Sequence, residues 1–381
     1  LSEVSKTRFF KRLFAWPDSD GAASPRHHRD AARAKNFYES GARVVSPATP
    51  EGKQKFFAAF FQKRSACLLL SLFLYFLIFG FMLDRPLSLG VLRLELDQKA
   101  ARLAALPGPK LVILAGSNGP YSHSCVVLGA MLRMPCENAG IAVGIGLDEV
   151  FARYGPALRA GDVVYMPMEL QQYVASRAAY RAGVDGGMMW RHGRGVLAGL
   201  APDRVLGAMF CCDLGDAMES LAEMPLAAAR VIDPRAMLAR QYDEQGDRID
   251  NDGPAAAWLL AGPARGVPSG DEIAAGYGTK LIAAFVARMR AKGVVVVGGL
   301  PVDFTDARMP AGSLGALRAV YGARWFLVLG NESRYPRRDF FNSEDHLDRG
   351  CQAAQSVLVA EGLGRMLGRD VGRAPVVGCG G

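Results

Sequence analysis

The chain has 381 residues, enough for one large domain or two small ones with a substantial core. Half of the residues are hydrophobic and 22% are charged, the balance of a globular protein. The net charge of +8 sits at one end: residues 1–65 hold 13 Lys/Arg against 6 Asp/Glu, which is +7, and the rest of the chain is near neutral. A nucleic-acid binder would carry its positive charge on the folded part, so this distribution argues against a nucleic-acid partner.

Residues 1–65 are expected to be a basic cytoplasmic tail, largely disordered. Residues 17–52 are rich in Pro, Ser, Ala, Gly and charge. Two aromatic-basic stretches, residues 9–14 and 55–61, flank that region and suit either an anionic inner leaflet or a docking partner. Residues 66–83 read ACLLLSLFLYFLIFGFML, 18 residues without a charge and without the polar stripe of a soluble core helix. This length is near the lower limit for crossing a bilayer and predicts one transmembrane helix. A cleaved signal peptide is the rival reading, but it would lie closer to the N-terminus and end in small residues. Lys53, Lys55, Lys63 and Arg64 precede the span, while Arg85 and Arg93 follow it. The positive-inside rule therefore puts the N-terminus in the cytoplasm and the C-terminal part outside an inner membrane, in the periplasm if the cell is Gram-negative.

Residues 84–107 form a stalk or first helix, stopped by Pro107-Gly108-Pro109. Short apolar runs follow at Lys110–Ala115, Asp162–Met168, Val294–Val297 and Trp325–Leu329, with a weaker one at Cys136–Ile141. Continuous apolar strands are buried on both faces, as in a parallel sheet. Helical patterns at about 122–133, 147–158, 271–292, 312–322 and 349–367 alternate with them. The expected fold over residues 108–370 is therefore α/β, a flavodoxin-like three-layer α/β/α arrangement with a parallel sheet, followed by a tail at 371–381. Residues 170–270 break the rhythm and form a mostly helical insertion, which either covers the active face or serves as a packing or docking module.

Six of the seven cysteines lie beyond the apolar span: Cys125, Cys136, Cys211, Cys212, Cys351 and Cys379. None has zinc-ligand spacing, so no metal is expected. An exported domain pairs some of them, and buried free thiols are the alternative. Gly140–Gly146 contains glycines but follows a weak strand and lacks the phosphate-binding spacing, so no nucleotide cofactor is expected.

Functional groups of an open parallel sheet gather past the carboxyl ends of its strands. The first strand ends in Gly116-Ser117-Asn118-Gly119, and a serine on such a turn is either a nucleophile or an ordinary N-cap. His346, in Asp339-Phe340-Phe341-Asn342-Ser343-Glu344-Asp345-His346-Leu347, is a candidate base. Asp345, Glu344 and Asp339 are candidates for the group that fixes its tautomer. His123 either lines the pocket or packs in a helix, and His192 sits in an aromatic-basic cluster of the insertion.

Serine after strand one, a Gly-containing turn after strand two and a late His-Leu before a final helix resemble the SGNH/GDSL hydrolase superfamily. The likeness is to its membrane-anchored bacterial group associated with exopolysaccharide and cell-wall acylation. Gly116-Ser117-Asn118 is similar to the first block, Asn138-Ala139-Gly140 to the second and Asn342–Leu347 to the last. The resemblance implies Ser117, His346 and Asp345 as catalytic residues, with Gly140, Asn118, Glu169 and Asn342 binding the oxyanion or substrate. Two positions depart from the pattern. Glu169 stands after strand three where an amide donor is expected; it is either protonated, a ligand for a substrate hydroxyl, or the mark of a changed chemistry. Asn342 stands where the orienting Asp is expected.

The implied activity is that of an acyl esterase or O-acyltransferase acting on an exported, O-acylated polysaccharide. The second reading is a degenerate scaffold or glycan-binding accessory of a membrane polysaccharide-synthesis complex.

Overall fold

The computed structural model describes residues 65–80, 87–181, 189–190, 193–210, 218, 221, 234–376 and 378–379. The chain divides into two units, Leu1–Gly80 and Phe81–Gly381. The basic tail to residue 64, residues 81–83 of the expected span, His192, Cys211 and Cys212 lie outside the described residues.

In the first unit, residues 65–80 are helical, and Leu68, Leu69, Leu70, Phe73 and Leu77 are exposed. Among the described residues no helix is long and apolar enough to cross a membrane.

The second unit begins with α1 (Leu87–Ala105). This helix is no free stalk: Leu96 and Leu103 are buried in the main core, and Lys99 is buried in an ion pair with Glu95 at 2.8 Å. The elements that follow are β1 (Leu111–Ile113), α2 (Asn118–Ser122), α3 (Cys125–Leu132), β2 (Cys136–Asn138), α4 (Leu147–Tyr154), β3 (Val163–Met166) and α5 (Leu170–Val174). After the insertion come α6 (Tyr277–Ala291), β4 (Val295–Gly299), β5 (Asp303–Phe304), α7 (Ser313–Tyr321), β6 (Phe326–Leu327), β7 (Arg334–Tyr335), β8 (Phe340–Ser343), β9 (His346–Leu347) and α8 (Arg349–Leu367).

The main sheet has five parallel strands in the order β2-β1-β3-β4-β6. Its strands are buried on both sides because alternate residues point to opposite faces. Val112, Leu114, Val164, Met166 and Val296 join one core with α1, α4, α6 and α7. Leu111, Ile113, Val163, Tyr165 and Val297 join another with α3 and α8. The fold is thus α/β with a parallel sheet, as its apolar runs predict.

Two small pairs lie outside this sheet: β5 with β7, parallel, and the antiparallel hairpin β8–β9. A third apolar cluster (Phe304, Tyr335, Phe340, Leu347, Cys351 and neighbours) sits beneath the hairpin. Disulfides join Cys125 to Cys136 and Cys351 to Cys379. The described parts of the insertion are short helices, such as Pro202–Ala208 and Pro234–Gln241, and irregular segments.

Candidate active site

β1 delivers the chain to Gly116 and Ser117 at the carboxyl edge of the sheet. Gly116 is needed because a Cβ there would collide with Glu169 Oε1 and Val143. Ser117 has helical backbone angles and precedes α2, whose five residues are too few for a developed helix dipole. The helix expected from residue 122 is instead interrupted: His123 is extended, and α3 starts after Ser124, whose hydroxyl accepts from Val127 N–H. His123 is fully buried with its ring against Tyr165, and burial lowers its pKa to about 4; it packs the core behind the turn.

The second turn, after β2, is tied to the first by Asn138. Its Nδ2 donates to the carbonyls of Gly119 and His123 at 3.1 and 3.0 Å and to Asp247 Oδ1 at 2.9 Å. Its Oδ1 accepts the Gly140 N–H at 3.3 Å, so the expected oxyanion donor is held by a long bond within its own loop. Gly119 and Gly140 approach so closely that a Cβ on either would lie 2.9 Å from the other's Cα. Lys99 of α1 donates to the Gly140 carbonyl from behind.

The hairpin β8–β9 brings His346 to this edge. His346 Nε2 is 2.8 Å from Ser117 Oγ, and His346 Nδ1 is 2.7 Å from Asn342 Oδ1. The imidazole is 5% exposed and stacks on Tyr121, with ring centroids 3.8 Å apart and planes 4° from parallel. The Arg248 guanidinium covers Tyr121 at 4.9 Å. Burial, then the charges of Arg248 and Arg265, hold the His346 pKa well below its ordinary value. The neutral imidazole is therefore the resting form, as a base requires.

The expected orienting acids do not face the ring, and this corrects the role assigned to Asp345. The Asp345 carboxylate bonds Arg265 Nη1 at 2.9 Å, and Glu344 pairs with Arg265 Nε at 3.1 Å. Asp339 lies beside Arg338. Glu344 and Asp345 form the two-residue turn between β8 and β9 and are both held by Arg265, while Asn342 reaches Nδ1 from the opposing strand.

Glu169 is 4% exposed at the end of β3. Its Oε1 is 3.2 Å from Ser117 Oγ and accepts the Asn118 N–H at 3.2 Å. Burial, then the charge of Asp345, push its pKa up against the pull of Arg265, of the Asn118 N–H and of the contact with Ser117. The Asn118 side chain is turned to the Pro167 carbonyl, at 2.7 Å, and so braces the turn after β3.

Ser117, Asn118, Gly140, Glu169, Asn342 and His346 thus converge on one edge, with Asp345 beside them but facing Arg265. Sequence reasoning missed Tyr121, Arg248, Arg265 and Asp247. Asp247, from the insertion, accepts from Ser124 Oγ and Val126 N–H as well as Asn138. A signal was present only for Tyr121, four residues after the serine. The other three come from the insertion, whose path the sequence pattern does not specify. Among the described residues, Asp339, Cys351 and Cys379 gather as possible metal ligands, but the two cysteines are joined in a disulfide and offer no thiolate.

Chemically, the cluster holds a hydroxyl in contact with an unprotonated ring nitrogen, the ring fixed by a hydrogen bond on its far side. No protein-family model matches the chain, and no curated protein or solved structure matches it.

Proposed function

We propose that the chain is a membrane-anchored, SGNH-like acyl esterase or O-acyltransferase that works through a Ser117–His346 acyl-enzyme on an exported, O-acylated polysaccharide. The observation that carries this reading is the 2.8 Å contact of Ser117 Oγ with His346 Nε2, with Asn342 holding Nδ1. In the first half-reaction Oγ bonds the ester carbonyl carbon while its proton passes to Nε2. As the tetrahedral adduct collapses, Nε2–H returns that proton to the departing sugar hydroxyl and the acyl group stays on Oγ. In the second half, His346 deprotonates water (esterase) or a new sugar hydroxyl (transferase), which takes the acyl group and frees Ser117. Ser117 and Gly140 N–H groups serve the oxyanion, Gly140 exchanging its long bond to Asn138 for a bond to the adduct.

The main-sheet strand order, 2-1-3-4-5 when only its own strands are counted, is that of flavodoxin-like sheets and supports the fold part of the proposal. The two disulfides support an oxidising compartment. The uncharged stretch 66–83 is the membrane anchor of this reading, with the basic tail on the cytoplasmic side and a polysaccharide-synthesis membrane complex as partner.

One observation favours a second reading. A neutral amide, not a carboxylate, orients His346, and an amide stabilises an imidazolium less well. A degenerate scaffold or glycan-binding accessory would have that composition.

The full chain in detergent, treated with a serine-directed fluorophosphonate, separates the two. Labelling of the wild type that is lost in Ser117→Ala and in His346→Ala supports the enzyme. No labelling of folded wild-type protein moves the assignment to the scaffold.

A further inference from the structure

We infer that Glu169 is carried as the neutral carboxylic acid and donates a hydrogen bond to the oxyanion formed when Ser117 attacks an acyl carbonyl. The inference rests on the Ser117–His346 reading above and gives Glu169 the part that an amide was expected to fill.

A count of hydrogens leads to it. His346 Nδ1 lies 2.7 Å from Asn342 Oδ1, the carbonyl oxygen of the amide. A carbonyl oxygen only accepts, hence Nδ1 carries a proton. Burial and the two nearby arginines keep His346 uncharged, so Nε2 is bare. The single Ser117 proton is then committed to Nε2 at 2.8 Å. Ser117 Oγ still faces Glu169 Oε1 at 3.2 Å, and the remaining proton for that contact belongs to the carboxyl group. An ionised carboxylate would present only lone pairs to the lone pairs of Oγ.

Charge and solvation agree. Glu169 is 4% exposed, and isolated buried carboxylates are costly. The cation nearest in charge effect, Arg265, is already bound by Asp345 and Glu344, two negative charges against one positive. The groups facing Glu169 are Ser117 and Asn118 from the turn after β1, Asp345 and His346 from the hairpin, and Arg265 from the insertion. Of the charged ones, Asp345 favours the neutral acid and Arg265 opposes it.

The step balances without net change at Glu169. Oγ bonds carbon, the carbonyl electron pair moves to oxygen, and the Ser117 proton goes to Nε2. Glu169 turns its O–H from Oγ to the new oxyanion and keeps the proton throughout. When the adduct collapses, the pair returns to the carbonyl and the bond relaxes. A neutral buried carboxylic acid serving an oxyanion in this way is physically sound where the site is apolar enough to hold the proton.

Glu169 also precedes α5, where its backbone N–H donates to the Gln172 side chain at 3.0 Å, so a purely structural role must be separated from the chemical one. The test is the fluorophosphonate labelling rate of the full chain against pH, for wild type, Glu169→Gln and Glu169→Ala. The wild-type rate is expected to fall on the alkaline side as Glu169 ionises. Glu169→Gln, which keeps an N–H donor that cannot ionise, is expected to label at neutral pH and to lose that alkaline fall. Glu169→Ala is expected to label about 10²–10³-fold more slowly. A structural role would not remove a limb of the pH profile. An infrared band of a protonated carboxyl at neutral pH, present in wild type and missing in Glu169→Gln, reports the same proton without activity. Labelling in wild type that Glu169→Gln loses entirely, an alkaline fall that persists in Glu169→Gln, or the absence of that band would overturn this inference and leave the Ser117–His346 reading standing. Failure of the wild type to label would overturn that reading and, with it, this role for Glu169.

Discussion

The turn that carries Ser117 and the hairpin that carries His346 are built in opposite ways. The Ser117 turn leaves β1 between β2 and β3, inside a sheet buried on both faces. It is closed by its own backbone, Gly119 N–H to Gly116 O at 3.0 Å, and braced by Asn138. The hairpin is a two-stranded sheet apart from the main one, has an irregular register between Phe340 and Ser343, and rests on the separate cluster of Phe304, Tyr335, Phe340 and Leu347. The two halves are sewn together by polar bonds: Ser122 Oγ donates to the Asp345 carbonyl at 2.8 Å and accepts the Leu347 N–H at 3.2 Å. The difference teaches that the contact between hydroxyl and imidazole depends less on the main core than on a small core and a few buried hydrogen bonds. Local opening of the hairpin can then break the pair without unfolding the sheet.

Four measurements would break or sharpen this contrast. The largest effect is expected from His346→Ala, a fall of about 10²–10⁴ in labelling rate with the main unfolding transition unchanged, read by probe kinetics and calorimetry side by side. Next is Phe340→Ala. Emptying the small cluster is expected to cost about 3–5 kcal/mol in that region. Hydrogen exchange should then rise in β8 and β9 and stay low in β1 and β3; equal loosening of all four strands would refute the separation of cores. Third is Ser122→Ala, which leaves the Leu347 N–H and the Asp345 carbonyl without this partner at a cost of about 1–3 kcal/mol. Labelling should fall in step with it, since the hairpin loses its link to the Ser117 side.

The smallest effect concerns pH. Both His123 and His346 have pKa values lowered by burial, His123 to about 4. Between the unfolded value of about 6.5 and the lowered folded values, the unfolded chain binds more protons. The stability contributed by these two rings therefore falls as pH drops through that window and is restored above it. Burial raises the pKa of Glu137 and Glu169 to about 8 and of Asp247 to about 6, which acts in the opposite sense over the same range, so the His123 contribution is read as the difference in melting temperature between wild type and His123→Phe. That difference should shift in favour of the variant as pH falls through the window, and a difference that does not change with pH would mean that the His123 ring is hydrated in solution.

The sheet was legible in the sequence for one physical reason: a strand covered on both faces has to be a short apolar run, and each of the five runs became a strand. Leu87–Ala105 was legible as a helix, but not its packing, because α1 carries its buried Lys99 and Glu95 as an ion pair that reads as surface. Ser117 was visible because turns past strand ends are where function gathers, His346 because a serine needs a base, and Gly140 only through the resemblance of Asn138-Ala139-Gly140 to the second SGNH block. The partner of His346 was not. Proximity in sequence favoured Asp345, and only knowledge of the hairpin, which leaves Asp345 in its turn against Arg265 and brings Asn342 across from β8, selects the amide. Arg248, Arg265 and Asp247 were hidden because they arrive from a segment without periodicity, and contact order, not pattern, puts them there.

The bond from Lys99 to the Gly140 carbonyl has a practical consequence for anyone who would shorten the chain. Lys99 lies in the middle of α1, so a truncation that starts at the first strand, the natural boundary by sequence pattern, would delete a side chain that buttresses the loop beside Ser117. It would also leave Val112 and Leu114 without the cover of Leu96 and Leu103. A shortened chain has to begin ahead of Leu87 to keep α1 whole. If it begins later, loss of probe labelling would report the cut and not the chemistry of Ser117.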